Sequence, residues 1–377
     1  MPENSFQNLK EKYADFSSPI MQVFINERQL DAKHKSIKPV SSIKVQLTAG
    51  YEAGMALFSI YNVYDYEKGC FKFSEFQEVQ IGAPIAAFLG YGDKLEPVFR
   101  GYIASLRFKV EKEGGQVLEV AAMDVKGLMM SNNNSFQMKG KKYSECIKSL
   151  FTSDSYKDIL KEAYYIDDTP EEALKADGKD MKTIDLVEES DYEFIVKAAK
   201  KFAYDFYSDG SMLYFRKPKS NNDVFMEIGI GTGAVYMELE FSMNGLVNEV
   251  EVRSSNPADG KLFVKKATIT GNYNTTGSPA SKLLSKSRKT YIDPTIDSTN
   301  MADLRAQAVV EQIQYRFGNF SMQCIGIPEL RPGRFIDVEG LMEGKKVACY
   351  IDSVTHVFDS KRGYVTELKG RMKEFPR

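Results

Sequence analysis

A phrase of nineteen residues occurs twice in the chain, and it constrains the fold more than any other feature of the sequence. The first copy, YIASLRFKVEKEGGQVLEV, begins at Tyr102, and the second, YIDSVTHVFDSKRGYVTEL, begins at Tyr350. Six positions are identical at an offset of 248 residues: Tyr102 and Tyr350, Ile103 and Ile351, Ser105 and Ser353, Gly115 and Gly363, Val117 and Val365, and Glu119 and Glu367. A glycine-opened strand pattern precedes each copy, so the repeat predicts two domains built on one plan. Chance similarity between unrelated hairpins is the alternative.

The first 130 residues have the pattern of short strands separated by Gly, Pro and Asn/Asp turns. In YIASLRFKV the apolar positions alternate with polar ones, which is typical of a strand with one buried face. Strands at this spacing indicate a barrel or sandwich. We therefore predict a tube-like β-barrel domain over residues 1–130, completed by strands near 226–250.

Residues 131–225 have helical periodicity and predict an α+β insert domain. The clearest helix is EESDYEFIVKAAKKFAYDF, in which Ser190 and Glu193 form an S-x-x-E capping box before an apolar stripe. The dipeptide Asp209-Gly210 between two aromatic segments predicts a hairpin turn.

The strand pattern returns in residues 226–377, which predict a second tube-like β-barrel domain. A polar segment from Asn272 to Lys289 is interpreted as an exposed loop, and a helix is predicted to begin near Ser298. The expected fold class is thus α+β, mainly β, with two similar barrels and an insert between them.

Composition excludes several classes of function. The 50 basic and 52 acidic residues give a net charge of −2, so no overall field attracts nucleic acid or an anionic membrane. The four cysteines have no metal-ligand spacing and are expected to be reduced. No apolar run predicts a signal peptide or a membrane span.

The residues that could carry chemistry have simpler structural interpretations. The repeat places His356 opposite Phe108, on the apolar side of its strand, where we expect a half-buried structural histidine; His34 lies in a solvated, lysine-flanked turn. The adjacent carboxylates are typical of helix starts, and they are Asp167-Asp168, Glu171-Glu172 and Glu188-Glu189. We therefore predict no catalytic, metal-binding or cofactor-binding residues, and no enzyme activity.

Three further motifs also have structural interpretations rather than functional ones. The glycines of GIGTG, residues 229–233, lack nucleotide-binding spacing and predict a strand bend or a crossing between domains. The basic clusters at Lys139 and Lys217 are too short to indicate nucleic-acid binding and predict a solvated face.

Three stretches together resemble the amino-terminal region of VgrG proteins and phage late-control D proteins. EESDYEFIVKAAKKFAYDFYSDGSMLYF is similar to the segment in which Glu-Ser-Asp-Tyr-x-Phe opens a helix before an aromatic hairpin. ELRPGRFIDVEGLMEGKKVACYIDSVTHVFDSKRGYVTELKG resembles their closing block, and GDKLEPVFRGYIASL with LEVAAMDVKGLM resembles their first-barrel block. The resemblance covers most of the chain in order.

This resemblance implies the baseplate hub of a contractile phage tail, an R-type bacteriocin or a type VI secretion-like particle. It implies a homotrimer whose paired barrels form a ring with near six-fold symmetry between the tail tube and a three-fold spike. The expected partners are a tube or tube-initiator protein, other baseplate components and a spike on a separate polypeptide, since the chain stops at Arg377. The implied location is the bacterial cytoplasm during assembly and then the baseplate.

The duplicated strands supply the candidate interface residues, which are Tyr102, Ile103, Ser105, Tyr350, Ile351 and Ser353. Two other classes of function compete with the hub. A tail-associated cell-wall hydrolase would need a carboxylate pair across a cleft in the insert, such as one involving Glu188 or Glu189. A glycan-binding module would expose aromatic platforms, and the absence of Trp disfavours it.

Overall fold

The computed structural model describes most of the chain. The described residues are 2–30, 40–61, 63–72, 77–111, 115–138, 142–171, 184–218, 223–255, 260, 262–271, 273, 278–296 and 298–376. His34 and the basic residues Lys139 and Lys141 lie outside them, as does Glu172.

Strands dominate the structure, which confirms the mainly β prediction. The elements up to residue 123 are α1 (Phe6–Lys12), a 3₁₀ turn (Ala14–Phe16), β1 (Pro19–Ile25), β2 (Arg28–Gln29), β3 (Val40–Thr48), β4 (Met55–Tyr61), β5 (Tyr64–Asp65), β6 (Cys70–Phe71), β7 (Pro84–Tyr91), β8 (Lys94–Glu111) and β9 (Gly115–Met123). The middle elements are α2 (Val125–Met129), β10 (Asn134–Met138), α3 (Tyr143–Phe151), α4 (Lys157–Leu160), β11 (Tyr164–Ile166), β12 (Ile184–Glu189), α5 (Asp191–Phe202), β13 (Asp205–Ser208) and β14 (Leu213–Arg216). The last elements are β15 (Val224–Ile228), β16 (Ala234–Phe241), β17 (Glu249–Ser255), β18 (Leu262–Thr268), α6 (Pro279–Leu284), β19 (Arg288–Ile292), α7 (Thr299–Gln314), β20 (Gly318–Ile325), β21 (Phe335–Met342), β22 (Lys345–Asp359) and β23 (Gly363–Met372).

Thirteen strands form one continuous sheet. Its main path is β16-β20-β23-β22-β3-β4-β9-β8-β7-β1-β2, and β21 and β15 attach to it through β22. All neighbours are antiparallel except β15 and β21. Over the described ranges these pairings do not close into a ring. The sheet contains a first group, β1–β4 and β7–β9, and a second group, β15, β16 and β20–β23.

The two groups repeat one strand order. In the first group the order is β3-β4-β9-β8-β7, and in the second it is β16-β20-β23-β22-β21. The predicted equivalence of the two hairpins is confirmed by their registers. Tyr102 lies opposite Met123, as Tyr350 lies opposite Arg371, and each hairpin has a register shift two residues later, at Ala104 and at Asp352.

The strands near 226–250 complete the second group. β15 pairs with β21 and β16 pairs with β20, and over the described ranges neither pairs with a strand of the first group. The segment 229–233 is a turn that joins β15 to β16, with the amide of Gly229 donating to the Thr232 hydroxyl at 2.7 Å. The predicted domain limits at residues 130 and 225 stay a prediction.

Both groups bury their apolar side chains in one core. The alternation of β3, in which Val45 and Leu47 are buried and Lys44 and Gln46 exposed, is repeated across the sheet. The N-terminal segment ties the groups together, because Lys12 of α1 forms ion pairs of 2.7 Å with both Glu96 and Glu329.

A second core lies beside the sheet. It combines apolar residues of the middle elements with those of β17, β18 and α7. The sheet β18-β17-β19 contacts α7, and α7 contacts α5. These later elements therefore pack with the middle elements, although β15 and β16 lie between them in the chain.

Local predictions in this part of the chain have mixed outcomes. Ser190 caps α5 and forms the predicted capping box with Glu193. The hairpin turn at Asp209-Gly210 is confirmed, with the amide of Asp209 donating to the Met212 carbonyl at 3.1 Å, and α7 begins after Ser298. The loop prediction for 272–289 is wrong over its described second half, which contains α6 and the start of β19. Pro279 at the start of α6 and the Ser278 cap are the local reason.

Candidate assembly surface

The side of the 13-stranded sheet turned away from its core is polar, and we call it the open face. Strand alternation exposes every second side chain there, and most of these are short or charged. The open face includes Ser42, Lys44, Gln46, Leu57, Ser59, Ser105, Arg107, Lys109, Glu119, Glu238, Glu240, Ser321, Gln323, Ser353, Thr355, Glu367 and Lys369.

Strand register aligns the open face across both groups. One row runs over four strands from Gln323 through Glu367 and Thr355 to Gln46. Two shallow grooves follow the face, with volumes of about 590 and 540 Å³. Lys44 borders both of them. The open face is therefore a mainly polar surface with charges of both signs, interrupted by apolar side chains such as Leu57. Its grooves are shallow, unlike the enclosed pocket that binds one small ligand tightly.

Of the predicted interface residues in the first copy, only Ser105 reaches the open face. Its side chain is exposed, and its cross-strand neighbour is Ala121. Ile103 is 0% exposed within the sheet core. Tyr102 is partly buried and packs against the second core.

The second copy repeats this distribution. Ser353 lies on the open face opposite Lys369, and Ile351 is 0% exposed. Tyr350 is buried beside Tyr315 and Phe335. The two isoleucines are core residues in the folded chain, and an interface role of the set stays a prediction.

The repeated register shift is stabilised differently in the two copies. In the second copy, Asp352 occupies the shift and accepts two hydrogen bonds of 2.6 Å from the Arg371 guanidinium. The carbonyl of Asp352 accepts from the amide of Ala49 at 2.7 Å, where β22 meets the first group. Ala104 occupies the shift in the first copy, without a charged side chain. The bidentate Arg371–Asp352 pair joins β22 to β23 at the register shift, next to the backbone bond from Ala49 of the first group.

The Ser-Asp-Tyr-x-Phe segment has a structural role. The Asp191 carboxylate, buried at the start of α5, accepts hydrogen bonds from Asn132, at 2.6 Å, and from the Tyr156 hydroxyl. Tyr192 donates to the carbonyl of Tyr51 at 3.1 Å, and Phe194 is fully buried. The segment thus fixes α5 in the second core and connects it to the loop after β3.

Sequence reasoning missed a buried charge pair between the sheet and the second core. Lys126 is 0% exposed, and its Nζ lies 3.9 Å from Oδ2 of Asp124 and donates to the carbonyls of Gly50 and Glu52. Burial raises the pKa of Asp124 and lowers that of Lys126. The spacing D-x-K is common, so only the tertiary contacts identify the pair.

The adjacent carboxylates form local structural contacts. Glu189 pairs with Lys197 of α5, and Asp168 pairs with Lys142 at 2.9 Å, which lowers the pKa of Asp168. Asp167 accepts from the amide of Lys217 at 2.9 Å. Among the side chains that the structure describes, no three His, Cys, Asp or Glu residues group as metal ligands.

His356 is more deeply buried than predicted. It is 0% exposed, whereas Phe108 at the equivalent position is 40% exposed. Its Nδ1 lies 3.0 Å from the Tyr364 hydroxyl and 3.3 Å from Oγ1 of Thr366. Burial, with the nearby charge of Arg331, lowers the pKa of His356 to about 3. The half-buried prediction is wrong because β3 covers the edge of β22, while the equivalent stretch of β8 has no such neighbour among the described strands.

A cleft of about 710 Å³ lies in the second core between the end of α5 and α7. Phe202, Leu304 and Val310 give it an apolar wall, and Asp168 and Lys217 lie at its margin. Asp168 is held by its ion pair with Lys142.

No helix in the described ranges is long and apolar enough to cross a membrane.

The fold is shared with tail proteins of phages. A tail protein from Neisseria meningitidis MC58 matches with a TM-score of 0.64 and 13% identity, over 94% of this chain and 96% of that one. The 43 kDa tail protein of prophage MuSo2 from Shewanella oneidensis matches with a TM-score of 0.64 and 12% identity, over 94% and 98%. An E. coli component of the type VI secretion system, described as similar to T4 tail proteins, matches with a TM-score of 0.54 and 10% identity, over 93% and 76%.

Within this fold, the chain belongs to the family described as the Alg8 N-terminal domain, whose model matches residues 21–359. No curated protein matches the chain in sequence.

Proposed function

We propose that the chain is a structural baseplate hub of a contractile tail, in a phage, an R-type bacteriocin or a type VI-like particle. The observation that carries the proposal is the repetition of one strand order, β3-β4-β9-β8-β7 and β16-β20-β23-β22-β21, in one chain. The fold shared with tail proteins supports it. The chain would have no bond chemistry of its own.

The repeat supplies the symmetry that a tube-to-spike adapter needs. Three copies of a chain with two equivalent groups present six similar groups around a three-fold axis. Such a ring can meet a six-fold tube on one side and a three-fold spike on the other. In the assembled ring each group would form a tube-like barrel. The short turn 229–233, which joins the end strands β15 and β16 of the second group, supports this arrangement.

In this proposal the open face lines the central passage. Its serines, together with Gln46 and Thr355, are hydrophilic, and its lysines and glutamates offset one another. A passage of this kind does not bind its cargo tightly, because no apolar or single-sign patch dominates it. The proposed partners are the tube or tube-initiator protein, the spike and other baseplate components. Assembly would take place in the bacterial cytoplasm.

The quaternary structure gives the first test. Purified protein is imaged by electron microscopy and weighed by native mass spectrometry over a range of concentrations, and particles from a producing strain are probed for the chain. We expect a ring with three-fold symmetry and six similar lobes, and incorporation at the baseplate. A chain that is absent from tail particles, or one that clears cell walls and loses that activity on Glu188→Gln or Glu189→Gln substitution, contradicts the proposal.

Bulky substitutions test the passage itself. Gln323→Trp and Ser353→Trp place large side chains on the open face, and we expect intact rings in particles that deliver poorly. Thr290→Trp, at an exposed position of β19 away from the open face, is the matched control. Equal delivery by all three variants would exclude the open face as the lining of the passage.

A further inference from the structure

One strand pair joins the two strand groups within a chain. Its register can be applied to the equivalent strands of two different copies. The pair is antiparallel and consists of β22 and β3. It runs from Ser353 opposite Thr48 to Phe358 opposite Ile43. This internal junction uses the half of β22 that lies beyond the register shift at Asp352.

Register identifies the equivalent of β4 as β20. Met55 of β4 lies opposite Met123 of β9, and Asn319 of β20 lies opposite Arg371 of β23. Met123 and Arg371 hold the same place in the two hairpins, opposite Tyr102 and Tyr350. Met55 and Asn319 are therefore equivalent positions.

Register likewise identifies β16 as the equivalent of β3. Gln46 lies opposite Met55, and Glu240 lies opposite Asn319, so Gln46 corresponds to Glu240. Both strands have an irregular register near their first residue, after Val40 and after Ala234. The equivalent of the internal junction would consequently join β8 to β16.

These two strands do not pair with each other over the described part of one chain. β8 pairs with β7 as far as Tyr102, and beyond Ile103 its only partner among the described strands is β9. β16 ends the sheet, and β20 is its only strand neighbour over the described ranges. Among the described strands each chain thus has two edges without a strand neighbour, and such edges favour pairing with a further strand.

We infer that β8 of one copy pairs antiparallel with β16 of a second copy, with Arg107 opposite Glu240 and Lys109 opposite Glu238. Transferring the internal register gives six cross-strand pairs: Ser105 with Ser242, Leu106 with Phe241, Arg107 with Glu240, Phe108 with Leu239, Lys109 with Glu238, and Val110 with Met237. The inference deepens the proposed hub function by specifying the contact between copies.

The side chains that face each other in the six transferred pairs are chemically complementary, although backbone pairing alone fixes the register. On the core side they bring apolar residues together, including Val110, which is 54% exposed in the single chain. On the open face they place two cations against two carboxylates. Opposite charges in directly facing cross-strand positions stabilise a sheet, and a slip of one residue would place cations against apolar side chains.

The charges also favour pairing between copies over other combinations of the same edges. Arg107 and Lys109 share one carboxylate within the chain, that of Glu119, which leaves an excess positive charge on β8. Neither Glu238 nor Glu240 has an ion pair with a described residue. Two β16 edges would repel each other, so association is expected to be head-to-tail, which is the geometry of a closed ring.

Disulfide trapping tests the register directly. In a background with Cys70→Ser, which removes the exposed cysteine, the double variant Arg107→Cys/Glu240→Cys is oxidised while associated. Facing residues in an antiparallel pair have Cα atoms roughly 4.5–5.5 Å apart, within disulfide range. We expect covalent oligomers from this variant and none from either single variant.

The matched control shifts the register by two residues. In Arg107→Cys/Glu238→Cys the Cα atoms would be roughly 7–8 Å apart or more, so we expect at least about tenfold less cross-linking. Equal cross-linking of the two double variants, no cross-link from the first, or a chain that stays monomeric throughout the concentration range would overturn the inference.

Charge reversal is an independent test. Glu238→Lys with Glu240→Lys should weaken association at least about tenfold without lowering the melting temperature of the monomer. Adding Arg107→Glu and Lys109→Glu, with Glu119→Lys to keep their local pairs, should restore association. An unchanged dissociation constant, or no restoration, contradicts the pairing. A ring that is cross-linked in another register would refute the pairing of β8 with β16 but not the hub function. Correct pairing in a protein that is absent from tail particles would refute the hub function but not the pairing.

Discussion

The buried histidine makes the stability of the chain depend on pH in a way that one substitution can isolate. His356 has a pKa of about 3 in the folded protein, against an ordinary value of 6.5. Below pH 6.5 His356 therefore binds a proton in the unfolded chain but not in the folded chain. The free energy of unfolding consequently falls as the pH falls. The loss continues until the pH approaches 3, because only there does the folded form take up the proton.

The magnitude follows from the two pKa values. Each pH unit inside this window costs about 1.4 kcal/mol, so the contribution of His356 changes by roughly 2.5 kcal/mol between about pH 7 and about pH 4.5. The variant His356→Gln keeps a polar side chain next to the Tyr364 hydroxyl but cannot titrate. Its free energy of unfolding should therefore fall by roughly 2.5 kcal/mol less than that of the original protein over the same interval.

The assay is urea unfolding at the two pH values, at constant ionic strength and protein concentration. Carboxylates titrate in both proteins, so the quantity compared is the difference between their pH dependences rather than either dependence alone. A difference below about 0.5 kcal/mol would refute the argument, since it would mean that His356 is accessible to protons in the folded chain.

Three further predictions concern the core and the caps. Lys126→Met leaves the buried Asp124 carboxylate without its cation and should lower the free energy of unfolding by about 3–5 kcal/mol, with part of the loss recovered when Asp124→Asn is added; urea unfolding measures both. Ser190→Ala removes the cap of α5 and should cost about 1 kcal/mol, whereas Ser190→Asp should retain most of the stability; an equal loss in both would argue against the cap. Ile351→Glu buries a charge and should abolish folding, whereas Ser353→Glu, two residues further on, should leave the melting temperature nearly unchanged; similar thermal shifts for the two would contradict the assigned faces.

Much of the local structure could be predicted because its causes are local. The cap at Ser190, the turn at Asp209-Gly210 and the start of α7 at Ser298 depend on side chains within a few residues of the backbone groups they satisfy. The loop prediction is wrong over residues 278–289, because the Ser278 cap and Pro279 start a helix in a segment of polar composition.

The candidate surface was only partly predictable. Period-two alternation places Ser105 and Ser353 on exposed positions, but it cannot tell which face of a two-sided strand meets a core. Ile103 and Ile351 are predicted interface residues but are fully buried, because the register shifts at Ala104 and Asp352 place them on the face opposite to Ser105 and Ser353.

The sequence by itself determined that the chain contains one hairpin pattern twice, because strand alternation and hairpin pairing depend on residues close together in the chain. Only the tertiary structure decided that β22 pairs with β3, about three hundred residues earlier, and that residues 246–317 join the second core. Those choices depend on which distant surfaces bury one another. The pairing of β22 with β3 is also what reveals the two strand edges through which a second copy is inferred to bind.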